Sequence, residues 1–207
     1  MLNKKIVLVG YSGHGLVVAD AAIEQGLDLF YYTDKKFAIK NPYKLKYLGF
    51  EGDSEFEHWG KDYKFALAIG NNEIRRNTGE IILSRGKELV NIIHPRSSVS
   101  GSTHFGIGNF INNCAAVNSQ VIIGNYCILN TGSILEHECK LGDAVHVAPG
   151  AVLAGGVKVG DNTFIGANTV IKEGVRIGKN VIIGAGSVIL SDVADNIKIV
   201  GNPGRKI

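Results

Sequence analysis

The sequence predicts two parts: an α/β N-terminal Rossmann-like half-domain and, after it, an all-β parallel β-helix of about five coils. The β-helix is predicted by an apolar residue at every sixth position, a period that fits neither an α-helix nor an alternating strand. The half-domain is predicted by a short apolar run, a glycine-rich turn and a helical stretch. The apolar positions of the repeat are Val99, Phe105, Ile111, Val117, Ile123, Leu129, Leu135, Leu141, Val147, Leu153, Val159, Ile165, Ile171, Ile177, Ile183 and Ile189.

Three of these six-residue units close one triangular coil, so each residue lies above the residue three units earlier, and the coils rise by about 4.8 Å. Glycine or asparagine usually follows the apolar residue, as at Gly106 and Asn112, and we expect these residues at corners with positive φ. The residue four positions after each apolar one is compact and is also expected inside. Cys127 and Cys139 occupy this row. They are predicted to be buried thiols, with no disulfide and no metal site.

The composition is that of a globular protein with an ample core. The chain has 207 residues, 45% of them hydrophobic and 20% charged, which allows one large domain or two modest ones. The net charge of +3 does not favour nucleic acid as a partner. No apolar run is long enough to span a membrane. The first five residues lack a signal-peptide cleavage site, so we expect them to lead into the first strand of a cytoplasmic protein.

Residues 1–70 are predicted to form the half-domain. Ile6–Val9 is a continuous apolar run, as in a buried parallel strand. A helix is predicted over 16–25 and ends at Gly26. Leu29–Thr33 and residues 65–69 are predicted as the second and third strands. The turn between the first strand and the helix would present backbone N–H groups and the positive end of the helix dipole to an anion.

The glycine-rich turn over residues 10–15 reads GYSGHG. Its glycine order is GxxGxG rather than the GxGxxG of dinucleotide-binding folds, and only half of such a fold is available. Asp34 ends the second strand, where an acidic residue can accept hydrogen bonds from a nucleotide. Two interpretations stay open: a nucleotide-binding turn in which His14 donates to a phosphate, and a turn whose glycines only allow close packing. For a nucleotide-binding turn, we expect a sugar nucleotide and not NAD.

Residues 71–98 are predicted to join the two parts, with a helix over 71–90 and an extended link that ends at Pro95. The β-helix is assigned to residues 99–194, and residues 195–207 form a polar, turn-rich tail. The domain boundaries are therefore predicted at residues 70, 98 and 194.

One histidine of the repeat lies in a cluster suited to proton transfer. His137 is flanked by Glu136 and Glu138, and a neighbouring carboxylate sets the tautomer of an imidazole and raises its basicity. By the stacking rule Gly155 lies directly above His137, which would leave room for a substrate. A surface histidine among solvated charges is the alternative interpretation. A second column of small residues would leave a groove along the coils: Pro149, Ala167 and Ala185.

Several motifs together resemble a known family over nearly the whole chain. The sequence is similar to the bacterial nucleotide-sugar acetyltransferases of the hexapeptide-repeat left-handed β-helix superfamily, in particular the bacillosamine-pathway N-acetyltransferases of UDP-4-amino-4,6-dideoxy sugars. Sialic acid O-acetyltransferase-like proteins are relatives of these enzymes. The left-handed coiling is implied by this resemblance and not by the spacing. The matching motifs are GYSGHG at 10–15, IGNNEIR at 69–75, LNTGSILEHE at 129–138, DAVHVAPGA at 143–151 and GNPGRKI at the end of the chain.

The resemblance implies a role for each candidate residue. His137 would be the general base, Glu138 would polarise it, and Asn130 would lie beside the pair. Acetyl-CoA would be the co-substrate, and no metal would be needed. The expected contacts of acetyl-CoA are with four residues. His146 would meet the thioester across a subunit boundary, and Gly155 would donate its backbone N–H near the thioester. Ala167 and Ala185 would line the pantetheine groove. The expected substrate contacts are Ser12, Gly13 and His14 at the pyrophosphate, Asp34 and Lys35 at the nucleoside, and Gly70 close by.

The implied activity is acetyl-CoA-dependent N-acetylation of a nucleotide-activated amino-dideoxy sugar. The implied assembly is a homotrimer with active sites between neighbouring β-helices. One alternative is O-acetylation of a sugar such as sialic acid. Another is a non-catalytic β-helix that binds nucleotides or serves as a scaffold. The residues do not distinguish UDP from dTDP.

Overall fold

A computed structural model describes residues 5–207, so the first four residues of the predicted half-domain lie outside the described chain. The N-terminal elements are β1 (Ile6–Val9), α1 (Gly13–Glu24), β2 (Leu29–Thr33), β3 (Lys46–Tyr47), a 3₁₀ helix (Glu57–Gly60), β4 (Lys64–Leu67), α2 (Asn72–Ser84) and β5 (Glu88–Leu89). In the described chain these strands form one parallel sheet in the order β3-β2-β1-β4-β5.

The glycine-rich turn runs directly into α1, which begins at Gly13 and not at the predicted Leu16. Gly15 makes this tight entry feasible, because a Cβ there would lie 2.5 Å from the carbonyl oxygen of Gly10. Gly26 has φ of +80°, which only glycine adopts without strain, and it ends the helix as predicted.

The N-terminal sheet continues beyond residue 70. The stretch 71–90 is not one helix: α2 ends at Ser84, Gly86 turns the chain with φ of +69°, and β5 pairs with β4. A strand of two residues carries no period of its own, so its pairing with β4 was not visible in the sequence. The helix α2 therefore belongs to a five-stranded α/β domain, not to a linker.

The remaining chain forms a triangular stack of short parallel strands, which we describe by its three faces. Face 1 contains β6 (Ile92–Ile93), β9 (Phe110–Ile111), β12 (Ile128–Leu129), β15 (His146–Val147), β18 (Phe164–Ile165), β21 (Ile182–Ile183) and β23 (Lys198–Val200), with β24 (Arg205–Lys206) antiparallel at its end. Face 2 contains β7 (Ser98–Val99), β10 (Ala116–Val117), β13 (Ile134–Leu135), β16 (Val152–Leu153), β19 (Val170–Ile171) and β22 (Val188–Ile189). Face 3 contains β8 (His104–Phe105), β11 (Ile122–Ile123), β14 (Lys140–Leu141), β17 (Lys158–Val159) and β20 (Arg176–Ile177).

The repeat extends further than predicted at both ends. Ile93 pairs with Ile111, and Ile199 pairs with Ile183, so the coils begin before residue 99 and continue past residue 194. The predicted apolar row and the row four positions later fill the interior as one buried cluster. Cys127 and Cys139 are fully buried there, as predicted.

The corners of the coils depart from the sequence prediction. Positive φ does not fall on the residue after the apolar one. It falls two positions later, and several of the residues there are neither glycine nor asparagine: Cys114, Gln120, Tyr126, Glu138 and Ala144. The glycines that follow the apolar row have another function. A Cβ at Gly106 would lie 2.7 Å from the Gly124 carbonyl oxygen, and one at Gly124 would lie 2.7 Å from the Gly142 carbonyl oxygen. These glycines allow successive coils to approach closely.

The N-terminal domain covers the outside of face 1. Ile92, Phe110 and Ile128 share one buried cluster with Val18 and Ala22 of α1. In the described part of the chain, the buried clusters that contain N-terminal side chains include no strand residue of face 2 or face 3. Within residues 5–207, no helix is long and apolar enough to cross a membrane.

Candidate functional site

A cavity of about 410 Å³ opens at the carboxyl ends of β1, β2 and β4. Four of the predicted substrate residues line it: Ser12, Asp34, Lys35 and Gly70. Ligands of open parallel sheets bind at this edge, beyond the carboxyl ends of the strands. The fold therefore brings together residues from three separate sequence segments into one binding cavity.

The polar groups of this cavity are held by backbone contacts. The Tyr11 N–H donates to Asp34 Oδ2 at 2.7 Å, so the glycine-rich turn is tied to the end of β2. Ser12 is the N-cap residue of α1, yet its hydroxyl makes no capping hydrogen bond. That hydroxyl and the N–H groups of the first helical turn are therefore available to an anion.

His14 does not line this cavity but turns towards the β-helix. Its ring centroid lies 5.6 Å from that of Phe110 and 6.5 Å from that of His146, and its Nε2 is buried without a hydrogen-bond partner. Burial, and secondarily the charge of Arg75, lowers the pKa of His14 to about 4. The imidazole is neutral at neutral pH and has one N–H to donate.

His146 lies on face 1 beneath the N-terminal domain, with its ring centroid 5.0 Å from that of Phe164. Both of its ring nitrogens are buried, and neither makes a well-aligned hydrogen bond, although a weak contact with the Gly70 backbone partly opposes the loss of its charge. Burial lowers the pKa of His146 to about 3, with smaller contributions from Arg75 and His14. The structure thus places His146 next to His14, one of the residues predicted for the pyrophosphate. The two neutral imidazoles lie side by side, His146 buried and His14 half-buried.

His137 lies at the corner between faces 2 and 3, and 62% of its side chain is exposed. Its Nδ1 is 3.1 Å from Oε2 of Glu138, which leaves Nε2 free to exchange a proton with a substrate. Glu138 is held in the left-handed region, with φ of +61°. Glu136 does not contact the imidazole, because it accepts a hydrogen bond from Asn118 Nδ2 at 3.0 Å. Only one of the two flanking carboxylates therefore acts on His137.

Gly155 lies next to the imidazole, as the stacking rule predicts. A Cβ at Gly155 would lie 2.5 Å from Cε1 and Nε2 of His137, so the ring itself fills the space that the sequence assigned to the substrate. The Gly156 N–H donates to the His137 carbonyl oxygen, whereas the Gly155 N–H donates to no acceptor in residues 5–207. A free backbone donor thus lies beside the histidine.

Asn130, Ala167 and Ala185 lie along a different corner, the one between faces 1 and 2. Asn130 Oδ1 accepts hydrogen bonds from Asn112 Nδ2 at 3.0 Å and from the Thr131 N–H at 2.8 Å. Within one chain, these residues and His137 lie on opposite edges of face 2. The resemblance implied that Asn130 lies beside His137, and the structure does not bring them together within a single chain.

Two features of the site were missed in the sequence. A second cavity of about 750 Å³ separates α2 from face 1 and shares Gly70 with the first; its other lining residues include Asn72, Phe164 and Ile182. Arg75 is buried between the two domains, although the helical pattern of α2 gives no sign of it. No group of three or more His, Cys, Asp or Glu side chains in the described chain is arranged to hold a metal ion.

Two family models match the chain. The PglD N-terminal domain model matches residues 5–82, and the bacterial transferase hexapeptide (six repeats) model matches residues 138–173 and 156–191. These matches cover the α/β domain with α2 and the later coils of the β-helix.

Two curated proteins are similar in sequence. GDP-perosamine N-acetyltransferase of Escherichia coli O157:H7 is 33% identical over 146 residues, which are 70% of this chain and 58% of that protein. UDP-N-acetylbacillosamine N-acetyltransferase of Bacillus subtilis (strain 168) is 31% identical over 110 residues, which are 52% of this chain and 51% of that protein. The aligned part of the chain thus spans little more than half the length of these relatives.

Solved structures are similar over the whole chain. A histidine-to-asparagine mutant of perosamine N-acetyltransferase from Caulobacter crescentus, in complex with CoA and GDP-perosamine, has a TM-score of 0.92 and 31% identity, covering 100% of this chain and 98% of that one. The acetyltransferase domain of PglB from Neisseria gonorrhoeae FA1090, in complex with acetyl coenzyme A, has a TM-score of 0.91 and 29% identity, covering 99% and 100%.

Proposed function

Because the chain belongs to the nucleotide-sugar N-acetyltransferase family of left-handed hexapeptide-repeat β-helices, we propose that it transfers the acetyl group of acetyl-CoA to the amine of a nucleotide-linked amino-dideoxy sugar. The observation that carries this proposal is the His137–Glu138 pair beside the free N–H of Gly155. A general base and an oxyanion donor are what direct acyl transfer to an amine requires.

The reaction is direct attack of the amine on the thioester. The amine nitrogen forms a bond to the carbonyl carbon, the C–S bond breaks, and His137 Nε2 takes the proton lost by nitrogen. The CoA sulfur leaves and is protonated to the free thiol. Glu138 at Nδ1 stabilises the charged imidazole, and a base of this kind contributes about 100- to 10,000-fold in rate. Direct attack needs no enzyme nucleophile, and the two buried cysteines are unsuited to that role, because burial raises the pKa of Cys127 to about 12 and that of Cys139 to about 11.

Charge develops on the thioester oxygen as the amine attacks. The Gly155 N–H is the donor we assign to this oxygen, because it is unpaired and lies next to the imidazole that takes the proton. A preorganised backbone donor of this type costs no reorganisation when the charge appears.

The acceptor is bound by the N-terminal domain. The nucleoside occupies the cavity lined by Asp34 and Lys35, and the diphosphate lies at Ser12, Gly13 and the N-terminus of α1. The neutral imidazoles of His14 and His146 lie on the acceptor side of the site, and Gly70 lies at the junction of the two cavities. We therefore assign His146 to contact with the acceptor substrate, and not to contact with the thioester across a subunit boundary, which the resemblance implied.

The nucleotide we favour is GDP, whereas the resemblance to the bacillosamine-pathway enzymes implied UDP. One solved relative that is similar over the whole chain was solved with GDP-perosamine. The curated relative with the longer alignment is named a GDP-perosamine N-acetyltransferase. UDP is favoured by the relative with the shorter alignment.

A homotrimer completes the site. The outward side chains of face 2 are small or apolar (Ala116, Ile134, Val152, Val170 and Val188), whereas those of face 3 include Lys140, Lys158 and Arg176. Packing face 2 against a second copy would bury this apolar strip. It would also bring His137, on one edge of face 2, towards the Asn130, Ala167 and Ala185 corner of a neighbour, where we place the pantetheine arm.

The experiment that tests this function uses GDP-, UDP- and dTDP-linked 4-amino sugars, each with acetyl-CoA, and measures free-thiol release and product mass. We expect release with a GDP-linked amino sugar and a product heavier by one acetyl group. Release with sialic acid and not with the amino sugars would identify an O-acetyltransferase. No thiol release with any acceptor, despite nucleotide binding, would leave a non-catalytic nucleotide-binding protein.

A further inference from the structure

Arg75 is a buried cation that joins the two domains. Only 1% of its surface is exposed, although it lies on α2 between exposed or half-exposed neighbours. Its Nη1 donates to the carbonyl oxygens of Ile69 at 3.1 Å and Gly70 at 3.0 Å. On the β-helix side, Nε donates to the Tyr126 carbonyl oxygen at 2.7 Å and Nη2 to that of Ala144 at 3.1 Å. The guanidinium thus joins the segment after β4 to two successive coils of the β-helix.

The carbonyls on the β-helix side form a regular ladder along the corner between faces 3 and 1. Tyr126, Ala144 and Asn162 occupy equivalent corners of three successive coils, each with φ between +56° and +58°. Arg75 binds the first two carbonyls, and Asn72 Nδ2 binds the third at 3.1 Å. Asn72 Oδ1 also accepts from Arg75 Nη2 at 2.9 Å. The first turn of α2 is thereby clamped onto three coils at once.

The charge of Arg75 has no carboxylate partner among the described residues. All its hydrogen bonds go to four carbonyl oxygens and one side-chain amide. Burying a cation without an opposite charge is costly, and an apolar side chain would pack α2 against the β-helix at lower cost. The planar guanidinium of arginine carries five N–H donors and can hold several carbonyl groups in fixed positions. An apolar side chain cannot do this.

The segment held by Nη1 is the wall between the two cavities. Gly70 lines both the 410 Å³ cavity and the 750 Å³ cavity, and Ile69 lines the first. We propose that Arg75 is a positioning residue for the acceptor: it fixes the Ile69–Gly70 segment against the β-helix corners, and so fixes the nucleotide site relative to the coils. This inference rests on the proposed function.

The test compares Arg75→Gln, Arg75→Lys and Asn72→Ala with a matched control, Arg96→Gln. Arg96 also joins the domains, through a bond to Glu24 Oε1 at 2.8 Å, but it lies on the surface away from both cavities. We expect Arg75→Gln to raise the KM for the nucleotide sugar at least ~10-fold, because charge-assisted hydrogen bonds to the wall are lost. Arg75→Lys, which keeps the charge, should show a smaller increase. The KM for acetyl-CoA should stay within about twofold of the wild-type value.

Asn72→Ala covers the case in which Arg75→Gln does not fold. It releases one hydrogen bond of Arg75 and the bonds of Asn72 to the Asn162 and Thr163 carbonyl oxygens, and it leaves the other bonds of Arg75 in place. We expect it to raise the nucleotide-sugar KM about threefold, and Arg96→Gln to leave it unchanged. Folded Arg75 or Asn72 variants with a wild-type KM for the nucleotide sugar would overturn the proposal, as would equal increases in KM for both substrates. Calorimetry with GDP and UDP on the wild-type protein distinguishes a failure of the Arg75 proposal from a failure of the proposed function. If the wild-type protein neither binds these nucleotides nor turns over, the proposed function is refuted instead.

Discussion

Adding one methyl group at Gly155 should disable catalysis while leaving the fold intact. The Cβ of Gly155→Ala would lie 2.5 Å from Nε2 of His137, whereas non-bonded carbon atoms settle at about 3.5–4.0 Å. The imidazole must therefore move by about 1 Å. A displacement of that size at a catalytic group costs about 100-fold in rate, or ~2.7 kcal/mol.

The stability of this variant should change little. His137 is largely exposed, so its ring can move aside without disturbing the core, and Gly155 has no left-handed φ that an alanine would strain. A surface substitution of this kind changes the free energy of unfolding by about 0.5 kcal/mol or less. The expected result is therefore a large loss of kcat with an almost unchanged Tm.

The assay follows CoA thiol release under saturating substrates, with thermal unfolding measured on the same samples. Gly101→Ala is the matched control, because Gly101 lies in the same corner column and a Cβ there would meet nothing within 4 Å. His137→Ala gives the limit of complete loss of the base, at least ~100-fold in kcat. If Gly155→Ala turns over like the wild type, the imidazole position in the structure is not the catalytic one, and the assignment fails.

Three further predictions concern the nucleotide, the assembly and pH. Asp34→Ala removes the hydrogen bond from the Tyr11 N–H and should weaken GDP or UDP binding about 10-fold by calorimetry. The wild-type protein should give no heat with NAD, and tight NAD binding would refute the assignment of this cavity to a sugar nucleotide. Val152→Glu would place a carboxylate in the apolar face 2 and should convert the proposed trimer to monomers in sedimentation, whereas Lys158→Glu on face 3 should not. An active wild-type monomer would refute the proposed trimer. Because burial lowers the pKa of His14 to about 4 and that of His146 to about 3, the unfolded chain binds more protons below about pH 6.5, and stability falls as pH falls through this range. The urea midpoint of unfolding should be lower at pH 5 than at pH 7. If the midpoint of His146→Phe decreases by the same amount between these pH values, His146 does not contribute to the pH dependence of stability.

The β-helix could be predicted closely from the sequence because its contacts have a fixed spacing. Each strand pairs with the strand three units along the chain, so a count in sixes locates the strands, the interior rows and the stack of Gly155 on His137. Cys127 and Cys139 were assigned to the interior in the same way. Strand β2, which Asp34 follows, was also placed correctly, since apolar runs and turn residues mark it locally.

The corners show where the repeat stops being informative. Composition pointed to the glycines and asparagines after each apolar residue as the left-handed positions, but those glycines serve close approach between coils. The left-handed residues include Tyr126, Glu138 and Ala144, which no propensity would select. Neighbouring coils impose this conformation, and their influence outweighs the local preference of the residue.

By itself, the sequence determined the repeat, the strand–turn–helix unit, the histidine–glutamate pair and the position of Asp34 after the second strand. Only the tertiary structure decided how the two parts meet: His14 against His146, Gly70 between two cavities, and Arg75 on the carbonyls of Tyr126 and Ala144. The physical reason is that these contacts join residues with no fixed spacing in the chain. They depend on how α1 and α2 dock on face 1, and that docking is set by the shape and packing of whole surfaces.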